Sequence, residues 1–204
     1  MCNNLTYEKD LLNKGYKLIS GCDEAGRGPL AGPVVVASVI MPLDDIIEGI
    51  NDSKKLTEKK REELFDKITE KAVAYKIEVI NEKVIDDINI LNATKMGMEN
   101  AINGLKIKPD FALIDAVKGL NLCCESLPLI HGDSLSYSIA AASILAKVYR
   151  DRLMLELDKK YPNYNFKKHK GYGTKEHITN LLKFGKCEIH RETFIKNFVR
   201  NNDK

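Results

Sequence analysis

Two adjacent acids followed by a glycine-rich turn make residues 21–33 the stretch of the sequence best suited to chemistry. Asp23 and Glu24 offer carboxylate oxygens, and Arg27 offers a planar, charged fork that suits phosphate. The glycines that follow the acids let the backbone bend and let its N–H groups approach a phosphate or a sugar hydroxyl. No Gly-Lys-Ser/Thr ending closes the turn, so it is not the phosphate loop of a nucleoside triphosphatase. The alternative interpretation is a tight hairpin with solvated acids.

Two further acids follow predicted strands. The apolar run 111–114 predicts a covered strand that ends on Asp115, and residues 127–130 predict a strand that leads to Asp133. Ligands of open α/β sheets bind beyond strand ends, although a turn-forming aspartate is equally common there. Clustered carboxylates repel one another unless a cation lies among them, and oxygen ligands suit Mg²⁺ or Mn²⁺. Because a pair of such ions is a recurring device for cutting phosphodiesters, the acids predict a metal-dependent nuclease.

The elements that must hold these acids alternate between strands and helices. Apolar runs predict strands at 34–40 and 73–80, with a helix between them that Thr57 caps. The segment 84–105 has helical spacing with an interruption near Asn92. This alternation predicts an α/β fold around one sheet.

The second half of the chain is richer in helix. Small residues over 136–151 predict a helix that packs closely against the sheet. Within it, Lys147 and Asp151 lie one turn apart, and an ordinary ion pair is the favoured interpretation of the two. A basic loop is expected between Pro162 and Thr174, and Thr174 caps a last short helix.

The composition limits the class of protein. The 204 residues suit a single domain, with 44% hydrophobic and 30% charged residues. No apolar run reaches the roughly 20 residues of a membrane span, and no signal segment opens the chain, which predicts a cytoplasmic protein without membrane contact. The five cysteines show no metal-binding spacing and are expected to be reduced.

Positive charge is concentrated near the end of the chain. Residues 159–186 contain eight lysines and one acid, Glu176, with tyrosine and phenylalanine between them. Such a mixture is typical of a surface that follows a phosphate backbone and packs rings on sugars or bases. A second cluster includes Lys54. Solvated helix faces and loops remain the alternative for either cluster.

Six segments, in order, carry a resemblance to a known family: GCDEAGRGPLAGPV (21–34), DSKKL (52–56), LID (113–115), GD (132–133), IAAASILAKVYRD (139–151) and HKGYGT (169–174). Together they strongly resemble bacterial ribonuclease HII, and His190, Arg191 and Phe194 near the end resemble its closing motif. The resemblance implies a ribonuclease H-like fold, a mixed five-stranded sheet flanked by helices. It also implies one catalytic domain over 1–204, in which about 158–204 form a basic, helical C-terminal segment.

The resemblance also implies the activity, which is endonucleolytic cleavage of RNA in RNA–DNA hybrids and at single ribonucleotides embedded in duplex DNA. The products would carry 5′-phosphate and 3′-hydroxyl ends, and two divalent ions, Mn²⁺ or Mg²⁺, would serve the hydrolysis. The expected enzyme is a monomer whose partner is nucleic acid.

The residue roles follow motif by motif. The implied metal ligands and catalytic residues are Asp23, Glu24, Asp115 and Asp133. The implied substrate-binding residues are Gly26, Arg27, Gly28, Lys54, Lys147, Lys170 and Tyr172. In this assignment Gly26, Arg27 and Gly28 contact the 2′-hydroxyl region, and Tyr172 packs on the sugar of the following deoxynucleotide. Ala116 departs from the glycine of many bacterial members, which affects local backbone geometry and not the chemistry.

Two other functions are open to test. One is a nucleic-acid-binding domain without activity, although such a binder has no use for four acids facing phosphates. The other is a metal-dependent nuclease that cuts DNA alone, which a duplex free of ribonucleotides would reveal.

Overall fold

The computed structural model describes residues 5–199, so both ends of the predicted domain, 1–4 and 200–204, lie outside the described residues. Five strands of alternating and continuous apolar sequence form one sheet. They are β1 (Ile19–Ala25), β2 (Val34–Ile40), β3 (Ala74–Ile80), β4 (Phe111–Asp115) and β5 (Glu125–Leu129).

The sheet is mixed and has the strand order β3-β2-β1-β4-β5. β2 pairs antiparallel with both β1 and β3, whereas β4 pairs parallel with both β1 and β5. Cys22 of β1 lies beside Ile114 of β4, so the acids that follow these two residues reach the same edge of the sheet. The predicted mixed five-stranded sheet is confirmed.

Helices cover the sheet and make up most of the C-terminal segment. They are α1 (Thr6–Asn13), α2 (Glu58–Lys71), α3 (Glu82–Asn103), α4 (Gly132–Leu135), α5 (Tyr137–Lys160), α6 (Phe166–His169), α7 (Lys175–Phe184) and α8 (Glu192–Val199). Both predicted caps are present, because Thr57 Oγ1 accepts from the Lys60 N–H and Thr174 Oγ1 accepts from the His177 N–H. None of the helices that the structure describes combines the length and the apolar character that a membrane crossing requires.

Helix α5 packs closely against the centre of the sheet. Ser136 caps its first turn by accepting from the Ile139 N–H. The small side chains of residues 140–142 are fully buried and belong to the same apolar cluster as Val35 and Ala37 of β2. Small side chains on α5 allow this close approach, and the core below the acids is therefore rigid.

Gly21 of β1 makes the closest approach to α5. A Cβ at this position would lie 2.0 Å from the Ser138 carbonyl carbon and 2.4 Å from the Ile139 nitrogen. Gly21→Ala is expected to destabilise the fold by about 3 kcal/mol or more, because backbone must move to make room. Urea unfolding would measure the loss. Ser20→Ala is the matched control, since the buried Ser20 hydroxyl has no partner among the described residues and its removal should be near neutral. Equal stability of Gly21→Ala and wild type would contradict the packing argument.

Two details differ from the sequence prediction. The break in α3 lies at Asn89, whose φ of 67° is left-handed and whose Oδ1 accepts from the N–H groups of Leu91 and Asn92. The side chain thus caps the second half of α3, three residues before the predicted interruption. The predicted basic loop contains a 3₁₀ turn, Pro162–Tyr164, and the short helix α6. These turns form where Asn165 and Lys170 adopt left-handed conformations, which sequence patterns do not indicate for lysine.

Candidate active site

Three of the four predicted acids meet at the edge where β1 and β4 lie side by side. Asp23, Glu24 and Asp115 each place one carboxylate oxygen within 4.8 Å of the others. Neighbouring side chains of a strand leave from opposite faces, yet the longer Glu24 reaches the same group of oxygens as Asp23. β1 continues to Ala25, so the two acids lie within its last three residues. The bend at Gly26, with φ of 98°, comes after both of them.

Burial makes this group of acids unfavourable when all are charged. It raises the pKa of Asp23 well above the ordinary value, and the charges of Glu24 and Asp115 add to the effect. The pKa of Glu24 is also raised by burial, although Arg27, 3.5 Å away, opposes the shift. Burial raises the pKa of Asp115 despite the N–H that Gly132 donates at 2.7 Å. A cation among the three carboxylates would offset their mutual repulsion and the unfavourable burial of their charges.

The donor set fits a divalent metal. Glu24 Oε2 is buried and has no hydrogen-bond partner among the described residues, so one carboxylate oxygen of this residue is unsatisfied. All the available ligand atoms are carboxylate oxygens, which suit Mg²⁺ or Mn²⁺ and not zinc.

The fourth acid, Asp133, lies beside the cluster but is not part of it. It is buried in α4, and its Oδ2 is 3.3 Å from Lys54 Nζ. Its charge contributes to the raised pKa of Asp115, which places the two carboxylates within electrostatic reach. The ion pair with Lys54 was not foreseen, because 79 residues separate the partners.

A cleft of about 240 Å³ opens over the acids. The residues that line it are Asp23, Glu24, Ala25, Gly26, Arg27, Gly28, Ser53, Lys54, Ser143, Lys147 and Tyr172. Six of the seven predicted substrate-binding residues therefore surround one cavity, which Asp23 and Glu24 of the predicted metal ligands also line. Cations, open backbone and an aromatic ring are the groups that bind a nucleotide phosphate and sugar.

The other two predicted lysines also have partners within the chain. Lys147 Nζ contacts Asp151 Oδ1 at 2.6 Å, so the predicted intrahelical ion pair is present. Lys170 does not line the cleft: its Nζ donates to the Lys167 carbonyl, and its own carbonyl accepts from Arg150. Lys170 is thus attached near the site by its backbone carbonyl and not by its side chain.

Two serines complete the cleft and were missed by the sequence prediction. Ser143 donates a hydrogen bond that favours the charged form of Asp23. Its Oγ is also 2.8 Å from Ser53 Oγ, which links α5 to the segment that carries Lys54. Both serines stood in quoted motifs, but nothing in their spacing distinguished them from ordinary helix and turn residues.

Two buried arginines behind the glycine turn were also missed. Arg150 of α5 donates to the carbonyls of Pro33, Ala31 and Lys170. Arg191, just before α8, donates to the carbonyls of residues 26, 27 and 32. Both arginines stood in segments that resemble motifs of the family, Arg150 in 139–151 and Arg191 in the closing motif, but neither was assigned a role.

The fold and the site together define a metal-dependent nuclease with a ribonuclease H-like fold. Comparison with known proteins identifies the family. The family model for ribonuclease HII matches residues 20–197. A ribonuclease HII of Caldicellulosiruptor bescii is 57% identical over 197 residues, which are 97% of this chain and 96% of the relative. One of Acetivibrio thermocellus is 58% identical over 193 residues, 95% of this chain and 75% of the relative.

A solved structure agrees with these sequences. The crystal structure of ribonuclease H2 from Pyrococcus horikoshii OT3 matches with a TM-score of 0.79 at 27% identity. The match covers 92% of this chain and all of that one. The chain belongs to the ribonuclease HII family. It is a metal-dependent endonuclease that cleaves RNA in RNA–DNA hybrids, and its cofactor is a divalent metal.

Proposed function

We propose that this nuclease also cleaves at a single ribonucleotide embedded in duplex DNA and leaves 5′-phosphate and 3′-hydroxyl ends. The observation that carries the proposal is the group of three carboxylates, one with an unpaired oxygen, beside a cleft lined by cations, open backbone and an aromatic ring. Asp23, Glu24, Asp115 and Asp133 would hold two divalent ions. Such ions would supply activation of a water nucleophile and stabilisation of charge on the leaving 3′-oxygen.

The chain's own residues orient the substrate over these acids. Backbone N–H groups of the turn formed by Gly26, Arg27 and Gly28 bind the ribose 2′-hydroxyl, the one group that distinguishes RNA from DNA at a given position. Tyr172 packs on the sugar of the following deoxynucleotide. Its ring is 45% exposed and stands beside Gly28, where a Cβ would be 3.8 Å from it. Arg27, Lys54 and Lys147 are the cations that line the cleft, and they would contact the neighbouring phosphates.

The deciding experiment uses two duplexes that differ by one hydroxyl. One contains a lone ribonucleotide and the other only DNA, and each is incubated with and without Mg²⁺ or Mn²⁺. Cleavage of the first duplex alone, and only with metal, is expected. Cleavage of both would favour a nuclease that acts on DNA. Binding without cleavage under every condition would favour a nucleic-acid-binding domain.

We expect weaker substrate binding, by about the same factor for all base sequences, when Lys167, Lys168 and Lys170 are replaced together by glutamine. Lys167 and Lys168 have acidic neighbours, Asp158 and Glu176, but both lysine side chains are more than 60% exposed, and exposed pairs contribute little. If each lysine contacts one phosphate, the slope of log affinity against log salt concentration should fall by about 0.9 per lysine. Binding titrations between low and moderate salt would measure it.

The control is a triple substitution of exposed lysines at the opposite edge of the sheet. Lys14 and Lys17 precede β1 and Lys108 precedes β4, so all three lie at the strand ends remote from the acids. Their replacement by glutamine should leave the salt slope unchanged. Equal effects of the two triple variants would support the alternative interpretation, in which residues 167–170 are solvated surface.

We further propose that the chain acts as one domain, as a monomer, in the cytoplasm and away from membranes. All four cysteines of the described part of the chain are free, which is typical of a reducing compartment. The C-terminal segment supports the single domain, since Arg191 and the bridge between His190 and Ala31 attach it to the glycine turn. Light scattering with size-exclusion chromatography tests whether the protein is a monomer in solution.

A further inference from the structure

Arg191 is a fully buried cation whose hydrogen bonds all go to carbonyl groups. None of the ion pairs in the part of the chain that the structure describes includes it, and its exposed fraction is zero. Burial, and then the nearby charge of Arg150, lower its pKa to about 9. The nearby charges of Asp86 and Glu82 act on it in the opposite direction, but neither acid forms an ion pair with it. Burying a charge without a direct ion pair is unfavourable for stability, so packing alone does not explain an arginine here.

The contacts of Arg191 fix the orientation of two peptide groups. Its Nη2 donates to the Gly26 carbonyl at 2.7 Å, and its Nη1 donates to the Arg27 carbonyl at 3.0 Å. The peptide bonds of the described residues contain no cis form. In a planar trans peptide the C=O and the N–H point in opposite directions. The N–H groups of Arg27 and Gly28 therefore point away from Arg191.

The cleft lies on the side of the glycine turn opposite Arg191. Gly26, Arg27 and Gly28 line it, whereas Arg191 does not. Among the described residues, neither the Arg27 N–H nor the Gly28 N–H has a hydrogen-bond partner. A Cβ on Gly28 would meet only the Tyr172 ring within 4 Å, so the space beside its Cα is open on the side of that ring. Two adjacent backbone donors thus face the cavity unpaired.

We propose that Arg191 is a positioning residue for ribonucleotide recognition. It holds two peptide planes so that the Arg27 and Gly28 N–H groups donate to the ribose 2′-hydroxyl. This inference rests on the proposed function, in which that turn binds the hydroxyl. Lysine cannot replace the arginine, because a compact ammonium lacks the fork that holds several carbonyls at once.

Binding to the two duplexes that differ by one 2′-hydroxyl tests the role. The measurements use an Asp23→Asn background, so that both duplexes stay intact. Arg191→Lys should reduce the preference for the ribonucleotide duplex by about tenfold, the equivalent of one hydrogen bond. Its affinity for the DNA duplex should change little, since the positive charge is kept.

Asp86→Ala is the matched control for stability. Asp86 accepts from the N–H groups of Glu192 and Thr193 at the start of α8, next to Arg191, without touching the turn. It should lower the melting temperature while keeping the preference for the ribonucleotide. An Arg191→Lys variant that keeps the full preference would overturn the positioning role. Equal binding of both duplexes by the protein with Arg191 intact would contradict the proposed function itself, and the positioning role with it.

A second measurement does not depend on the variant's folding. The protein with Arg191 intact is labelled with ¹⁵N-glycine, and the Gly28 amide signal is identified by its loss in Gly28→Ala. Hydrogen exchange of this amide should slow with the ribonucleotide duplex and not with the DNA duplex. Exchange that neither duplex slows would overturn the proposal.

Discussion

Replacing Asp23 or Asp115 by asparagine is expected to reduce metal-dependent cleavage more than about a hundredfold, the upper range found for groups that only support metal ligands. Each substitution removes a charged oxygen from the group that the metal must hold together. The fold should be kept, because an asparagine oxygen at position 23 can still accept from the Glu24 N–H, now 2.7 Å from Asp23 Oδ1. Cleavage of the lone-ribonucleotide duplex in Mn²⁺ and in Mg²⁺ measures the loss.

The same substitution should stabilise the metal-free protein. Burial and the neighbouring acids raise the pKa of Asp23, so the folded protein binds a proton more tightly than the unfolded chain. Stability therefore increases as pH falls towards the ordinary carboxylate range and is lost as pH rises through the folded pKa. Removing the charge should relieve about 1 kcal/mol near neutral pH, a rise of roughly 2–4 °C in melting temperature for a domain of this size.

Thermal unfolding is measured in the presence of a chelator at pH 5 and pH 7, which separates the effect on stability from the effect on metal-dependent cleavage. Asp45→Asn is the control, since Asp45 is exposed, pairs with Lys71 and does not line the cleft. It should change neither cleavage nor the pH dependence of unfolding. Activity near that of wild type in Asp23→Asn or Asp115→Asn would refute the assignment of these acids as metal ligands.

The sequence predicted the strands best where one apolar run lies between clear breaks. The predicted strand 34–40 agrees with β2 residue for residue, because Pro33 precedes it and the whole run is buried between layers. The run 111–114 likewise forms β4, with Asp115 as its last residue. Burial on both faces leaves little choice of structure for such runs.

Contacts between distant segments account for most of what sequence patterns could not predict. Lys54 approaches Asp133, and Arg191 approaches Gly26 from 165 residues away. Neither contact leaves a trace in local spacing. The short turns around Lys170 have the same cause, since its carbonyl is held by Arg150 from α5.

One departure from the family pattern has a structural counterpart. Ala116 has φ of 52°, in the left-handed region that glycine adopts without strain. The glycine of many bacterial members suits this conformation, and alanine there is strained by about 1–2 kcal/mol. The backbone nevertheless holds Asp115 in the cluster, because the Ala116 N–H donates to the Leu129 carbonyl at 2.9 Å. The substitution thus affects local strain and leaves the acid in place.

Tyr172→Ala should reduce cleavage at a single embedded ribonucleotide more than cleavage within a continuous RNA stretch. A ring packed flat on the sugar that follows the cut is obstructed by a 2′-hydroxyl on that sugar, so it favours a step from RNA to DNA. Losing an aromatic contact with a nucleotide costs about 1–3 kcal/mol, or roughly fivefold or more in rate on the embedded substrate. The smaller loss on continuous RNA follows because the ring contributes less there.

The structure supplies the controls for this comparison. Tyr172→Phe keeps the ring and should retain the selectivity, since no described residue bonds to the Tyr172 hydroxyl. Phe184→Ala removes another exposed ring of the C-terminal segment that does not line the cleft, and it should affect both substrates equally. Rates are compared at matched salt and metal. If Tyr172→Ala loses the same factor on both substrates, the ring supports cleavage in general, and recognition of the RNA–DNA junction must come from the turn that Arg191 holds.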